Sequence, residues 1–468
     1  MRYILICALW GCLSIGLKAS GQEASFRVGA DISFLEEVEA GGGVFSEAGI
    51  TADPLAILAS HGFNAARLRI WHTPEAGKNG LEETLAAARR AKDAGLDVLL
   101  DFHYSDNWAD PGKQFVPAAW DGSGYEVLRD SVRAYSFRVI HALARQQTLP
   151  EIVQIGNEII CGMLWDTGRV CDAFNTSAQW SRLAGLLAAA REGVMSAVPA
   201  GESVQIMVHI DRGGDNGGSR WFYDHLQAQG VEFDLIGLSY YPWWHGTLDD
   251  LSNNMADLAV RYGKDIIVVE TGYPWTLQWK DNTNNLVGEA GQLLDAYPAT
   301  VAGQEAYFRE LLRRVKATPG QRGRGIYLWE PIAISAPGFG SVMENLALFD
   351  FSGAALASLK AFEPESATGL WPGPSPAATA PVDAYPNPFT SLVTIVYPGA
   401  TQTSPLHAHV VDSLGRTVAV LGAGTTTSRG VMWHWEGRDG SGRRVPAGVY
   451  LCAIASAQGT IYVRIVRQ

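Results

Sequence analysis

Between Phe26 and about Phe362, short aliphatic or β-branched runs alternate with longer amphipathic stretches that are rich in Ala and Leu. This alternation predicts strands and helices that follow one another as in a parallel sheet. Eight runs are candidate strands, at 28–32, 65–71, 98–103, 152–157, 204–210, 235–240, 266–270 and 326–330. Eight such units in about 340 residues predict a (β/α)8 TIM barrel with insertions, an α/β fold.

The pattern changes after the barrel segment, which we place at residues 22–362. Residues 363–381 read EPESATGLWPGPSPAATAP, a composition typical of a linker. From 382 to 468, short alternating runs such as LVTIVY and GVYLCAI are separated by turn residues. This pattern predicts a small all-β sandwich as the second domain.

The N-terminus has the features of an export signal. Arg2 is followed by an apolar run from Tyr3 to Leu17 and then by small residues. The run is shorter than the roughly 20 apolar residues of a membrane-spanning helix, so residues 1–21 are predicted to be a signal peptide. A lipoprotein site at Cys12 is the alternative, although Trp10 fits such a site poorly.

The amino-acid composition limits the kinds of molecule that the protein is expected to bind. The chain has 36 basic and 48 acidic residues and a net charge of −12, which disfavours nucleic acid and membrane surfaces. It also has 15 Trp and 16 Tyr, whose rings can stack on sugars, although most are expected in the core. We therefore expect a neutral substrate and a protein that is not integral to a membrane. A monomer is also expected, although composition does not determine the oligomeric state.

Three cysteines remain once Cys7 and Cys12 leave with the signal peptide. Cys161 and Cys171 lie in one predicted loop, at a spacing that an oxidising compartment would allow to close as a disulfide. Cys452 would then be an unpaired, buried thiol. No Cys or His cluster has the spacing of a zinc site.

Two glutamates end predicted strands, Glu158 in VQIGNEI and Glu270 in IIVVETGYPW. Barrel enzymes carry their chemistry at these strand ends, and strands four and seven face each other across the barrel. Retaining glycosidases use two carboxyl groups about 5 to 5.5 Å apart as proton donor and nucleophile, and an amide such as Asn157 can bond the sugar 2-hydroxyl. Taken singly, such a glutamate could instead cap a helix or pair with an arginine.

The residues around this pair resemble glycoside hydrolase family 53, the endo-β-1,4-galactanases. The stretches that carry the resemblance are GADISFLEEVEA, NAARLRIW, LLDFHYSDNWADPGKQ, VQIGNEI with GMLWDTG, DLIGLSYYPWWHGT, VVETGYPWT, YLWEP and ENLALFDFSG. They follow the family's order from Val28 to Gly353. The resemblance implies a retaining enzyme that needs no cofactor for catalysis and cleaves galactan or type I arabinogalactan, the side chains of pectin, through a covalent glycosyl-enzyme.

The resemblance also implies roles for single residues. Glu158 would be the general acid/base and Glu270 the nucleophile. Arg69 would lie beside the nucleophile, where a cation keeps a carboxylate ionised. Either Tyr240 or Tyr241 would donate to Glu270, and we favour Tyr240 because it directly follows the strand run.

Further side chains are expected to bind the substrate. By resemblance, His103, Asp106 and Trp108 would line the negative subsites, and Trp329 would form the platform under the sugar next to the cleaved bond. Packing in the core is the alternative for His103 and Trp329. We interpret the neighbouring Glu330 as a structural hydrogen-bond partner.

Many bacterial members of the family carry a structural calcium between the loops after strands seven and eight. A hard cation takes about six to eight oxygen ligands, and the candidate ligands here are Asp281, Asn282, Asn285 and Glu344. The acid-rich Asp-x-Asp run of the calcium-binding members is missing, so calcium is the less favoured alternative.

The second domain resembles the sorting domain of the bacterial type IX secretion system. The stretches are AYPNPFTSLVTIVY, VVDSLGRTVAVL, WEGRDGSGRRVPAGVYLC and IYVRIVRQ. The resemblance implies a secreted or cell-surface protein that has the secretion machinery as a partner. By its residue pattern alone, the β-sandwich could equally be a carbohydrate-binding module.

Two alternatives to a galactanase stay open. Mannanases, xylanases and cellulases of the same clan share the Asn-Glu and Glu pair, and it is the loops HYSDNWADP and YYPWWHGT that favour galactan. A non-catalytic sugar-binding protein would be expected to have lost one of the two glutamates, and both are present.

Overall fold

The computed structural model of the chain describes residues 26–363, 383–397, 407–412, 417–427, 430–456 and 459–468. The predicted signal peptide, the alternative lipoprotein site at Cys12 and nearly all of the predicted linker lie outside these residues. The chain divides into two compact units, Met1–Glu363 and Pro364–Gln468. Within the described residues, no helix is long and apolar enough to cross a membrane.

The first unit contains a closed barrel of eight parallel strands, which confirms the predicted (β/α)8 fold. The barrel strands are β1 Arg27–Asp31, β2 Ala65–Ile70, β3 Asp97–Phe102, β4 Ile152–Ile155, β5 Gln205–Ile210, β6 Leu235–Tyr240, β7 Asp265–Thr271 and β8 Gly323–Leu328. Each strand pairs with the next, and β8 pairs with β1. Two-residue strands form small hairpins in the loops, Ser46–Glu47 with Ile50–Thr51 and Gly162–Met163 with Gly168–Arg169.

Helices surround the barrel and follow its strands. In the described part of the chain they are α1 Leu35–Ala40, α2 Pro54–Ser60, α3 Leu81–Asp93, α4 Tyr125–Arg145, α5 Ser177–Ala197, α6 Asn216–Ala228, α7 Pro242–His245, α8 Leu248–Tyr262 and α9 Val301–Lys316. Side chains at their N-termini define several of the starts. Thr176, Thr247 and Thr300 each accept a backbone N–H of the first turn, and such a cap satisfies a group that the helix itself leaves unpaired.

The inside of the barrel is filled rather than hollow. A buried layer closes it, consisting of Ala65, Leu99, Ile152, Met207, Leu235, Ile267, Val269 and Tyr327. Gly29 makes room for the largest of these side chains, since a Cβ atom there would lie 2.1 Å from the ring of Tyr327. Because this layer blocks the interior, a ligand can reach inward-facing side chains only from the mouth of the barrel.

Five of the predicted strands end earlier than expected, three of them by one residue and two of them by two residues. Strand β4 stops at Ile155 and β8 at Leu328, whereas the runs extend to 157 and 330. Gly156 has φ +108°, a conformation that favours glycine, and Glu158 and Glu330 have φ +48° and +50°. The chain therefore leaves the extended conformation just before each glutamate, which turns both side chains over the mouth of the barrel.

The second unit consists of two four-stranded antiparallel sheets. Its strands are β9 Asp383–Tyr385, β10 Val393–Tyr397, β11 His407–Val411, β12 Thr417–Ala423, β13 Thr425–Thr427, β14 Gly430–Trp435, β15 Gly448–Ser456 and β16 Gly459–Arg467. The sheet orders are β9-β10-β14-β13 and β12-β11-β15-β16. Apolar residues of both sheets, such as Ile395, Trp433 and Ile465, pack in one core. Cys452 is buried in it as a free thiol, and burial raises its pKa to about 12.

Candidate active site

A cavity of about 550 Å³ opens at the C-terminal ends of the barrel strands. Carboxylates, cations and aromatic rings share its lining, which includes Arg67, Arg69, His103, Trp108, Asn157, Glu158, Asp211, Tyr241, Trp244, Glu270 and Trp329. An apolar wall with a few polar groups that converge is the usual form of a small-ligand site. Most of the side chains predicted from the sequence to bind the substrate therefore line one cavity.

Glu158 and Glu270 meet at a single hydroxyl group. Ser239 Oγ donates to Glu158 Oε1 at 2.7 Å and lies 3.5 Å from Glu270 Oε2. The distance between these two carboxylate oxygens is therefore at most the sum of the two distances to Ser239 Oγ. This limit is below the about 6.5 to 9.5 Å that separates the carboxyl groups of inverting glycosidases, which favours the retaining class.

The cation beside Glu270 is Arg67, which corrects the expectation for Arg69. Arg67 Nη1 lies 2.8 Å from Glu270 Oε1, whereas Arg69 Nη1 lies 2.6 Å from Glu330 Oε1. Both arginines point into the barrel because they are two residues apart on β2. Arg67 is the deeper of the two, at the level where β1 aligns Asp31 with it.

Arg67 is shared among three carboxylates. Besides Glu270, its guanidinium contacts Asp31 at 3.0 Å and Asp101 at 2.8 Å, and it donates to Asn157 Oδ1 at 2.9 Å. The arginine and the two aspartates are almost completely buried. A buried cation among carboxylates balances charges that would be costly to leave unpaired in the interior.

The tyrosine that contacts Glu270 is Tyr241, which corrects the choice of Tyr240. Tyr241 Oη donates to Glu270 Oε2 at 3.4 Å, whereas Tyr240 Oη donates to the Gly246 carbonyl at 2.9 Å. Side chains alternate between the two faces of a strand, so Ser239 and Tyr241 point to the cavity and Tyr240 points away from it.

Asn157 is held firmly at the edge of the cavity. Its Nδ2 donates to the Ala109 carbonyl at 2.9 Å, and its Oδ1 accepts from Arg67 and, at 3.1 Å, from Gln154. An amide nitrogen carries two hydrogens, so one donor of Asn157 remains for a ligand. This placement agrees with the predicted contact to a sugar hydroxyl.

Aromatic side chains form one wall of the cavity. Trp108 and Trp329 meet edge to face with ring centroids 6.1 Å apart, and His103 lies 5.9 Å from Trp108. His103 Nδ1 accepts the Ala109 N–H at 3.1 Å, and its Nε2 lies 3.1 Å from Asp101. The three rings predicted from the sequence therefore lie together, and their orientation is set by neighbours in the barrel.

Asp106 has a different position from the predicted one. Its Oδ1 accepts the Thr73 N–H at 2.9 Å and its Oδ2 accepts the Ala118 N–H at 2.8 Å. It is not among the residues that line the cavity. The carboxylate therefore ties loop segments together outside this cavity, and its predicted role in the negative subsites stays a prediction.

Environment distinguishes the two glutamates. Burial raises the pKa of Glu158 well above its usual range, and the charge of Glu270 raises it further. Burial also raises the pKa of Glu270, to about 7, against the opposing effect of the Arg67 guanidinium. Because the Arg67 guanidinium lies 2.8 Å from it, Glu270 loses its proton at a lower pH than Glu158, and Glu158 stays protonated.

A disulfide closes the loop that starts at Glu158. Cys161 and Cys171 are bonded, as the sequence predicted, and the hairpin of Gly162–Met163 with Gly168–Arg169 lies inside the closed segment. The Trp165 N–H donates to the Gln114 carbonyl at 2.8 Å. These links restrict the backbone next to the glutamate.

The four candidate calcium ligands do not come together. Ser335 Oγ bonds both Asp281 and Glu344, but Asn285 Nδ2 donates to a backbone carbonyl and Asn282 is exposed. The oxygens of the two carboxylates already accept protein donors, and this leaves far fewer ligands than calcium takes. In the described residues the arrangement is a hydrogen-bonded link between two loops, in which the four predicted ligands are not assembled as one set.

Several polar residues of the site were not found from the sequence. They are Asp101 beside Arg67, His209 and Ser239 behind Glu158, and Asp211 at the cavity wall. Asp101, His209 and Ser239 are each the second-last residue of a barrel strand, and Asp211 directly follows one. Side chains two residues apart on a strand point to the same face. Ser239 lies two residues before Tyr241, so it could have been selected from the sequence once Tyr241 was placed at the site.

Residues 27–362 match the sequence model of glycosyl hydrolase family 53. An arabinogalactan endo-β-1,4-galactanase of Cellvibrio japonicus is 35% identical over 335 residues, which are 69% of this chain and 86% of that protein. An uncharacterised protein of Niallia circulans is 48% identical and covers 73% of this chain and 94% of its own.

Solved structures of the same family are similar to the barrel unit. The Ignisphaera aggregans GH53 catalytic domain has a TM-score of 0.68 and 36% identity, covering 73% of this chain and 96% of that domain. A fungal β-1,4-galactanase has a TM-score of 0.63 and 33% identity, covering 72% and 98%.

We predict that Arg67→Met destabilises the barrel by about 3 to 5 kcal/mol, because it leaves three buried carboxylates without their cation. Chemical denaturation of the purified protein measures the change. Arg220→Met is the matched control, since Arg220 pairs with Asp257 at the surface at 2.7 Å and such pairs contribute about 0 to 1 kcal/mol. Equal losses for the two variants would contradict the central role of Arg67.

Proposed function

Since this chain belongs to glycosyl hydrolase family 53, it is a glycoside hydrolase, and we propose that it is an endo-β-1,4-galactanase. Its substrate is β-1,4-galactan, including the galactan of type I arabinogalactan in pectin side chains. The observation that carries the mechanism is the Glu158–Glu270 pair, which lines the cavity and meets at the buried hydroxyl of Ser239.

In the first step Glu270 is the nucleophile. One of its oxygens attacks the anomeric carbon while Glu158 gives its proton to the glycosidic oxygen, and the bond between that carbon and oxygen breaks. Arg67 and Tyr241 both contact Glu270. They hold the carboxylate in place and compensate its charge before it attacks.

In the second step Glu158 acts as the base. It takes a proton from water, and the water oxygen displaces Glu270 from the anomeric carbon. The charge of Glu270 disappears when the covalent bond forms, so the pKa of Glu158 falls and the carboxylate can accept the proton. The neighbouring Glu270 is one cause of the raised pKa of Glu158 in the free enzyme.

The aromatic wall binds the sugar chain. Trp329 and Trp108 both line the cavity and meet edge to face, and aromatic ring faces suit the apolar C–H faces of a galactose unit. Asn157 donates its free amide hydrogen to the 2-hydroxyl of the sugar that reacts. Arg69 and Glu330 support this wall from behind, since the Arg69 guanidinium lies 4.3 Å from the Trp108 ring centre.

We further propose that the second unit is an export address of the type IX secretion system. The sequence PNPF, which opens such domains, links the start of the unit to its last strand. Asn387 donates to the Arg464 carbonyl at 2.6 Å and accepts the Val466 N–H at 2.8 Å, and Phe389 is buried. An N-terminal signal peptide would take the protein across the inner membrane, and it would end outside the cell or on its surface.

Substrate specificity gives the first test of the proposed function. The purified protein should release reducing ends from unbranched β-1,4-galactan as short oligosaccharides, and should leave mannan, xylan and cellulose essentially intact. Glu158→Gln and Glu270→Gln serve as matched controls for contaminating activities. Preference for another backbone would indicate a different enzyme of the clan, and tight binding without cleavage would indicate a sugar-binding protein.

Azide rescue gives the second test, because it separates the roles of the two glutamates. In Glu158→Ala, substrates with a good leaving group should still form the intermediate, and azide should restore turnover with a β-galactosyl azide as product. In Glu270→Ala no intermediate can form, so azide should give the α-product by direct displacement. NMR of wild-type products should show the β-anomer first, and initial release of the α-anomer would contradict the double displacement.

The role of the second unit gives the third test. A truncated protein that ends near Glu365 should keep its activity on soluble galactan, because the cavity lies wholly in the barrel unit. In a host with a type IX system, the same truncation should leave the protein in the periplasm while the full chain is exported. A many-fold loss of activity would instead indicate a carbohydrate-binding module.

A further inference from the structure

Two buried polar residues lie behind Glu158 and connect its side chain with its own backbone. His209 Nε2 lies 2.9 Å from Ser239 Oγ, which lies 2.7 Å from Glu158 Oε1. The other nitrogen of the ring, Nδ1, lies 3.3 Å from the Glu158 backbone nitrogen. His209 and Ser239 are completely buried, so their bonds are made with protein groups.

The surroundings of His209 decide which of its nitrogens carries the hydrogen. The Glu158 N–H can only donate to Nδ1. Gln154 Nε2, 3.0 Å from Nδ1, is also a donor and not an acceptor: one of its two hydrogens goes to Asp101 at 2.6 Å, and the other is shared between Nδ1 and Asn157 Oδ1. Its oxygen faces a guanidinium nitrogen of Arg67 at 3.4 Å, which fixes the orientation of the amide. With two donors aimed at it, Nδ1 accepts.

The imidazole is neutral and therefore has a single hydrogen. Burial lowers the pKa of His209 well below its usual range, and the charge of Arg67 lowers it further. Asn157 Oδ1 lies 3.1 Å from Nδ1, but its two lone pairs already face Arg67 at 2.9 Å and Gln154 at 3.1 Å. The hydrogen of His209 is thus on Nε2 and is donated to Ser239.

A hydroxyl has only one hydrogen, and this fixes the direction of the next bond. Because Ser239 Oγ accepts from His209, its own hydrogen points to Glu158 Oε1 at 2.7 Å, since Glu270 Oε2 is farther away at 3.5 Å. Oε1 is then an acceptor in both protonation states of Glu158. Its second oxygen, Oε2, is the one left for the cavity that the residue lines.

We propose that His209 and Ser239 form a one-way hydrogen-bond relay that keeps the transferable proton of Glu158 on Oε2 and stabilises its carboxylate in the second step. Both are positioning residues, since they act through Glu158 and do not touch the sugar. This inference rests on the proposed function, in which Glu158 is the general acid/base.

The Ser239 hydroxyl opposes the groups that raise the pKa of Glu158. The titratable or charged groups that face this residue are Arg67 on β2, His209 on β5, Asp211 after β5, Tyr241 after β6 and Glu270 on β7. Burial, Glu270 and Asp211 raise the pKa of Glu158, whereas the Ser239 hydroxyl and Arg67 lower it. Removing the hydroxyl takes away one of the two opposing contributions, so the acid form should persist to higher pH.

The test is the pH profile of kcat/KM on soluble β-1,4-galactan, measured with the full chain. In Ser239→Ala the alkaline limb, where Glu158 loses its proton, should move up by about one pH unit, because hydrogen bonds to charged groups are of this strength. Ser239→Thr keeps a hydroxyl and should restore the limb. Ser136→Ala is the matched control, since it removes a buried hydroxyl that bonds Tyr104 at 2.7 Å, away from the cavity.

A second measurement tests the relay without any change to Ser239. Nitrogen-15 NMR of histidine-labelled wild-type protein, with His209→Gln for assignment, should show Nε2 protonated and Nδ1 unprotonated across the active pH range. The opposite tautomer would overturn the relay, and so would an alkaline limb that stays in place or moves down in Ser239→Ala.

Failure of the proposed function would look different. Glu158→Gln, assayed in parallel, should lose nearly all activity on galactan. If it keeps wild-type activity, Glu158 is not the acid/base and the proposed function is wrong. If it is inactive while the Ser239→Ala profile matches wild type, the proposed function stands and the relay is wrong.

Discussion

The active end of the barrel depends on one buried cation. Arg67 contacts Asp31, Asp101 and Glu270, so a single guanidinium joins side chains from β1, β3 and β7 to its own strand β2. Its bond to Asn157 adds the segment after β4. Removing one member would leave uncompensated charge in the interior, which is why these strands share one arrangement at the cavity.

A second buried arginine–carboxylate pair lies nearer the surface of the barrel. Arg69 pairs with the buried Glu330, and its guanidinium lies between the rings of Phe34 and Trp108 at 4.2 and 4.3 Å. Glu330 holds a positive φ of +50° directly after Trp329. Such a backbone conformation costs energy, and the buried ion pair stabilises it at the place where the aromatic wall is needed.

The two glutamates differ because their neighbours differ. Glu270 has a cation and a phenol within contact distance, and both stabilise a carboxylate. Glu158 has the hydroxyl of Ser239, and burial favours its neutral form. The same side-chain type can therefore act as nucleophile in one place and as acid in the other, at one pH.

The alternation of strand-like and helix-like segments along the sequence determined the barrel. The same pattern indicated Glu158 and Glu270, because parallel strands place all their C-terminal ends at one mouth of the barrel. Only the tertiary structure chose Arg67 over Arg69. Side chains two residues apart on a strand share a face, so both arginines point inward. How deep each one lies depends on the register between neighbouring strands, which the hydrophobic pattern of the sequence does not determine. Asp106 shows the same limit, since a loop carboxylate faces whichever N–H groups the folded loops bring to it.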